Sequence, residues 1–450
     1  MGALPMSSSL ADPWLSLYGR RSTSPSPVSR MMSAFARDFR PGVDINLGVG
    51  YVNEETIPGQ QIAQALQAVL SRPDVYPHAL NYGGSEGSPN LVSALRRFLV
   101  RNDVGGLTER VLEQRRIIIG ASGVTSLLDA IATVMRPGIV VTGDPLYYIY
   151  SDYLARLGFT LLPIPEDHEG LKTELIQERL APVLDQLSFF YVVTVGNPTS
   201  SILTNSRRRE LVSIATRISS RLGRQVPLFL DNAYELLVHG PSAQRLEACS
   251  LHDAARIVYE LGTLSKILAP ALRIGYVLGP PGTLMDALVQ HTSDVGFSAP
   301  LINQEMAAYL LDHVADDHVR LVNAGYRAKA AAVRGWIESE LGSELEDVRG
   351  GEAGFYYYLT FVRTHTQEGS PLYRYASRTT GRPEVDGGQD GPNPRVVYVP
   401  GAFCVHPQGD YAEAGRRQLR LSYGYASLDE IRRGLVILGE AARYARDGSL

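Results

Sequence analysis

Cysteine is scarce in this chain, with only Cys249 and Cys404 among 450 residues. Two thiols cannot build a disulfide framework or a cysteine-rich zinc site. Neither sign of charge dominates: 43 Lys and Arg face 47 Asp and Glu, for a formal net charge of −4. That balance gives no electrostatic footprint for nucleic acid or for an acidic membrane surface. No apolar run approaches the length of a membrane span. The N-terminus lacks the apolar stretch behind a basic start that marks a secretory signal. These absences predict a cytoplasmic protein that binds neither membrane nor nucleic acid. What is present is ordinary for a globular chain, 44% hydrophobic and 20% charged residues. The length suits a large core plus a second, smaller domain.

The most informative stretch is Gly262–Gly275, GTLSKILAPALRIG. It follows an apolar, strand-like run, Ala255–Leu261, and leads into another, Ile274–Leu278. Lys266 sits among Leu264, Ile267, Leu268 and Leu272, as a partly desolvated amine would. Desolvation disfavours the ammonium form and frees the amine as a nucleophile toward a carbonyl. Thr263, Ser265 and Arg273 beside it suit an anionic ligand such as a phosphate.

From residue 116 to 280 strand-like and helix-like runs alternate, which predicts a three-layer α/β domain with a mainly parallel sheet. One of the helical runs spans Asn205–Leu222, and further helical patterns follow at Thr283–Gln290, Ala299–Leu311 and His318–Leu341. A strand at Phe355–Phe361, the run QLRLSY at Gln418–Tyr423 and a helix at Leu428–Arg446 suggest a smaller α+β part. Within the alternating region, Arg116–Asp129 reads as strand, glycine turn and helix, and the open N–H groups of a helix start form an anion site. Phe189–Val195 runs into Gly196-Asn197-Pro198-Thr199. Val226–Leu230 delivers Asp231, with Tyr234 three residues on. A carboxylate at the end of a buried strand is costly unless paired, and the alternative for Asp231 is a cap for the following helix. Arg420, between Leu419 and Leu421, fits either a ligand grip or a solvated sheet face. Asn81–Asn90, NYGGSEGSPN, lacks both the preceding strand and the spacing of a dinucleotide fingerprint. Thr173–Leu187 reads as a charged helical segment, Ile45–Tyr51 as a strand and Ser22–Ser29 as a loop. Gly381–Pro394 looks like a mobile excursion.

The string T-x-S-K, then I-L-A-P, then arginine and glycine, resembles the cofactor-lysine motif of the class I/II aminotransferases, pyridoxal-phosphate enzymes of fold type I. The resemblance extends from about Asn46 to the C-terminus and is greatest with the aminoadipate and aromatic branch. It implies that Lys266 binds pyridoxal 5'-phosphate covalently and that Asp231 meets the pyridine nitrogen. It places Asn197 and Tyr234 at the ring's phenolic oxygen and Tyr147, with Tyr148 the alternative, on the ring face. Gly123, Val124, Thr125, Thr263, Ser265 and Arg273 would cradle the phosphate, with Tyr82 reaching the site of a partner subunit. Arg420, Gly50, Asn197 and Phe355 would bind substrate, Arg420 gripping its carboxylate.

The same resemblance implies a homodimer with shared sites that passes an amino group between an amino acid and a 2-oxo acid. A division follows into an arm at 1–44, a cofactor-binding domain at 45–315 and a small domain at 316–450. The same fold and lysine also serve lyases and cyclases acting on amino acids. A further rival is the sensor half of a pyridoxal-phosphate-binding transcription regulator, because the Lys266 motif resembles that branch too. The residues before Ile45 lack the helical pattern of a DNA-binding domain, which favours the enzyme.

Overall fold

A computed structural model describes residues 14–241, 245–388 and 391–447. The helix Pro27–Arg37 comes first among the longer elements and starts inside the stretch expected to be a loop. Ser26 accepts from the Ser29 amide and Pro27 presets the first turn, so the helix begins there. The expected strand at Ile45–Tyr51 shrinks to Ile45–Asn46 (β1). The Asn46 side chain accepts from the amides of Gly48 and Val49, and this local turn ends the strand.

An eight-stranded sheet forms the centre of the molecule. Its members in chain order are Arg116–Ile119 (β2), Ile139–Asp144 (β3), Thr160–Asp167 (β4), Gly170–Leu171 (β5), Leu187–Val193 (β6), Leu228–Asp231 (β7), Val258–Thr263 (β8) and Gly275–Gly279 (β9). They lie side by side as β2-β9-β8-β7-β6-β3-β4-β5. Strands β4, β3, β6, β7 and β8 run parallel to one another, while β9 and the short β5 pair antiparallel. Both faces are buried, which explains the near-continuous apolar runs. On β6, Phe189 and Tyr191 join one helical layer, with Leu127 and Leu154, and Phe190 and Val192 join the other, with Leu211 and Ile218. This is the expected three-layer arrangement.

The segment Thr173–Leu187 is not one helix. It breaks into a 3-10 turn Thr173–Leu175, a helix Ile176–Leu180 and a second 3-10 stretch Ala181–Gln186 before β6 begins at Leu187. Pro182 heads the last piece and Val183 leaves helical geometry, so the backbone bonds cannot continue.

Beyond the long helix Ala315–Leu341, Leu345–Gly350 (β10) and Tyr356–Phe361 (β11) begin an antiparallel sheet. Val396–Val397 (β12) instead pairs in parallel with β1. Val399–Pro400 (β13) and Gln418–Ser422 (β14) complete the second sheet in the order β10-β11-β14-β13. The closing helix Leu428–Arg446 has a capping box between Ser427 and Glu430. Within Gly381–Pro394 the structure shows a short helix, Pro383–Asp386, whose Asp386 carboxylate accepts from Thr380 and Gly381. Part of that expected excursion lies outside the described residues.

Candidate active site

The C-terminal ends of the parallel strands converge on a cleft of about 690 Å3, counted to its open mouth. Val124, Thr125, Tyr147, Asn197, Asp231, Tyr234, Thr263, Ser265, Lys266 and Arg273 all line it. They gather where ligands bind in open parallel sheets, at the strand ends and in the loops that follow them.

Lys266 follows β8, and its Nζ lies 5.4 Å from the Tyr234 ring centroid and 5.7 Å from that of Phe355. Its polar contact is long, 3.5 Å to the Gly50 carbonyl. Desolvation, reinforced by the charge of Arg420, lowers its pKa from 10.5 to about 8. Asp231 closes β7. Its Oδ2 accepts from the Tyr191 hydroxyl at 2.7 Å and its Oδ1 from the Ala233 amide at 3.1 Å. Burial nevertheless pushes this carboxyl above its usual range, against those two hydrogen bonds. Such a group is stabilised by a cationic N–H brought next to it.

At the cleft's opposite end the helix Gly123–Val134 presents its first turn without a side-chain cap. Arg273 lies across that turn, donating to the Ser122 hydroxyl at 3.2 Å and to the Ser122 carbonyl at 3.0 Å. A Cβ on Gly123 would stand 3.0 Å from Nη2 of Arg273, and φ there is +64°, so glycine lets the guanidinium close over the helix start. Thr263 donates to the Ile274 carbonyl at 2.9 Å and accepts from the Ser265 amide at 3.1 Å, fixing the turn that carries Lys266.

Arg420, on β14, is 2% exposed. Nη1 donates to Asn197 Oδ1 at 2.8 Å and Nη2 to the Gly48 carbonyl at 2.5 Å. Nε has no partner among the described residues. The backbone carbonyl beside this guanidinium is that of Gly48. Gly50, whose carbonyl faces Lys266, also borders the Tyr356 hydroxyl, 2.6 Å from where its Cβ would lie. Of the two candidate tyrosines, Tyr147 lines the cleft and Tyr148 lies on the Arg420 side, 5.9 Å from ring centroid to guanidinium. Phe355 is fully buried behind Lys266. Tyr82 is not brought to this cleft; it is 82% exposed and packs near Phe297, with ring centroids 5.6 Å apart. Sequence reasoning missed Tyr191, Tyr356 and Ser122. Each makes its contact only once the sheets are assembled, and no local pattern marks any of them.

Residues 44–368 match the family model described as "Aminotransferase class I and II". The chain belongs to the class I and II aminotransferase family. Among its relatives is the 2-aminoadipate transaminase of Thermus thermophilus, 26% identical over 413 residues, covering 90% of this chain and 91% of that one. An uncharacterized HTH-type transcriptional regulator of Bacillus subtilis, YisV, is 25% identical over 401 residues, covering 89% of this chain and 74% of the regulator. The multiple substrate aminotransferase of Thermococcus profundus superposes with a TM-score of 0.80 at 22% identity, over 97% of this chain and 99% of that chain. Membership carries with it fold type I, pyridoxal 5'-phosphate as cofactor and amino-group transfer between an amino acid and a 2-oxo acid.

The residues present fit that cofactor. A buried carboxyl awaits a cationic partner, a desolvated amine stands in the same cleft, and an uncapped helix start with an arginine lies at its far end. No helix among the described residues is long and apolar enough to cross a membrane.

Proposed function

We propose that Lys266, Asp231 and Arg420 divide the work of transamination in this cleft, with amino acids as donors and 2-oxo acids as acceptors. The observation that carries this reading is the convergence of a low-pKa amine, a buried carboxyl and a buried guanidinium whose Nε has no partner among the described residues. When bound, pyridoxal phosphate supplies a carbonyl that condenses with amines and a protonated ring that accepts electrons from the substrate's α-carbon.

Arg420 takes the substrate carboxylate through its fork and so fixes which bond at the α-carbon faces Lys266. The Lys266 amine, held largely out of water, removes the α-proton as general base and returns a proton as general acid. Asp231, oriented by Tyr191 and Ala233, holds a proton on the pyridine nitrogen. Asn197 and Tyr234 donate toward the phenolic oxygen. The amides of Val124 and Thr125, the Thr125 and Ser265 hydroxyls and Arg273 hold the phosphate, with Gly123 leaving room for Arg273. Thr263 fixes the lysine turn, Tyr147 covers the ring, and Gly50 and Phe355 border the substrate.

The unit of function on this reading is a homodimer in which Tyr82 crosses to the partner's phosphate site. Residues 45–315 form the cofactor-binding domain, 316–450 the small domain and 1–44 the arm. Cys249 and Cys404, both buried and free, suit a reducing compartment such as the cytoplasm.

The test is an amino-acid panel on the purified protein, following the cofactor absorbance together with 2-oxo acid release. One equivalent of a good donor converts the bound cofactor to its amine form, and a 2-oxo acid reverses it. Ammonia release across the panel, with no stable amine form, would assign the cleft to lyase chemistry instead.

A further inference from the structure

Tyr356 on β11 is 1% exposed and touches both ends of the site just described. Its ring packs on the Arg420 guanidinium, with 4.4 Å between centroid and Cζ. Its hydroxyl lies 2.8 Å from the Tyr234 hydroxyl. The absence of a side chain at Gly50 makes room for that hydroxyl.

Two phenols in contact share one hydrogen bond, and its direction decides where the second proton points. The permanently charged guanidinium over the Tyr356 ring draws electron density from it and makes its hydroxyl the stronger donor. Lys266 Nζ lies farther from the Tyr234 ring, at 5.4 Å, and ceases to be a free ammonium when it carries the cofactor. Tyr356 therefore donates and Tyr234 accepts. Tyr234 lines the cleft and keeps its own proton for a third partner there. The ionisable groups facing the pair are Arg420 from β14, Lys266 after β8, Tyr147 and Tyr148 after β3, and Tyr326 from the helix Ala315–Leu341.

We propose that Tyr356 is a positioning residue: its hydroxyl turns the Tyr234 proton toward the cofactor's phenolic oxygen while its ring braces Arg420 for the substrate carboxylate. The inference rests on the proposed roles of Tyr234 and Arg420. One side chain thereby serves both ends of the site through two separable groups, a hydroxyl and a ring face.

Two variants of the holoenzyme separate these groups. Tyr356→Phe keeps the ring and removes the donor, and Tyr356→Leu removes both. The readouts are the pH midpoint of the bound cofactor's visible absorbance and the Kd of the des-amino analogue of the best donor. Donation to the phenolic oxygen favours its anionic form. Tyr356→Phe should therefore raise the midpoint by roughly half a pH unit to one unit, the effect of one neutral hydrogen bond. It should change the analogue's Kd by less than about twofold, whereas Tyr356→Leu should weaken it roughly 3- to 30-fold. A Phe variant with the parent's midpoint overturns the inference. So does a Phe variant that loses as much analogue affinity as the Leu variant. If the Leu variant fails to fold, the Phe midpoint alone decides. A parent protein whose cofactor is not on Lys266 defeats the functional reading, a result distinct from an unshifted Phe variant.

Discussion

Arg420 donates through Nη1 to Oδ1 of Asn197 at 2.8 Å, joining residues 223 positions apart in the chain. The donor is cationic and has no acceptor of its own, so the contact fixes which end of the Asn197 amide faces Arg420. The amide nitrogen is left to donate into the cleft. Asn197 therefore ties the residue proposed for the carboxylate to the one proposed for the phenolic oxygen.

Substituting that link tests both roles. Asn197→Asp places a carboxylate on Arg420, where it competes with substrate. KM for the best amino acid should rise roughly tenfold or more, in line with the loss of one charged hydrogen bond. A KM within about twofold of the parent would separate Asn197 from carboxylate binding.

Arg420→Lys removes the planar fork while keeping the charge. We expect kcat/KM for amino acids to fall by roughly a hundredfold, since a single ammonium cannot reproduce the two charge-assisted hydrogen bonds of the guanidinium fork. Amines without a carboxylate should react poorly with the parent and be little affected. Equal losses with both substrate types would show a general disruption rather than a lost grip.

Lys266 supplies a pH prediction. Burial and the nearby Arg420 charge bring its pKa down to about 8. In cofactor-free protein, labelling of this amine by an acylating reagent should rise with pH around that value, well below exposed lysines. Arg420→Met removes a charge that disfavours the ammonium form, so the midpoint should move upward. Peptide mapping after labelling identifies the site, and Lys266→Ala should bind the cofactor without a borohydride-reducible link.

Glu166 on β4 is buried, and desolvation raises its pKa from 4.5 to about 8, against the opposing charge of Arg349. Between those values the folded state holds a proton that the unfolded state releases, so Glu166 lowers stability as pH rises through that window. Glu166→Gln removes this dependence. The variant should gain thermal stability over the parent at pH 8 relative to pH 5, by a few degrees in Tm. An equal difference at both pH values would contradict the assignment.

The proposed shared site has its own test. Tyr82→Phe should weaken phosphate binding by roughly 1.5–3 kcal/mol. Mixing Tyr82→Phe with Lys266→Ala subunits should create heterodimers with one intact composite site and restore activity. A fully active monomer by light scattering would refute sharing.

Much of the fold was legible because its signals are local. The helix Asn205–Leu222 and the closing helix Leu428–Arg446 matched their expected bounds, as caps and periodicity dictate. The cleft residues were legible for another reason: Asp231, Asn197 and Lys266 each stand at or after the end of a strand whose apolar run is plain in the sequence. Where reading failed, a side chain had intervened. Asn46 ended β1 by bonding the next amides, and Pro182 broke a helix that charge patterning favoured. Strand β10 carries Glu346, Asp347 and Arg349 on a partly exposed edge, so no apolar alternation marked it. The Gly48 carbonyl under Arg420 and the Tyr191 hydroxyl on Asp231 are contacts between distant segments, and such contacts leave no trace in spacing.

Arg420 lies in a five-residue strand, β14, between Leu419 and Leu421, both fully buried in the apolar core. Because side chains alternate across a strand, adding or removing one residue just before it would exchange the guanidinium for a leucine. The carboxylate grip and the packing of the second sheet would then be lost together. The run from Gly381 to Gly388 belongs to no sheet, so a change of length there would shift no strand register. Insertions and deletions along the C-terminal part of the chain should therefore cost most at the approach to β14, where a single residue changes the register.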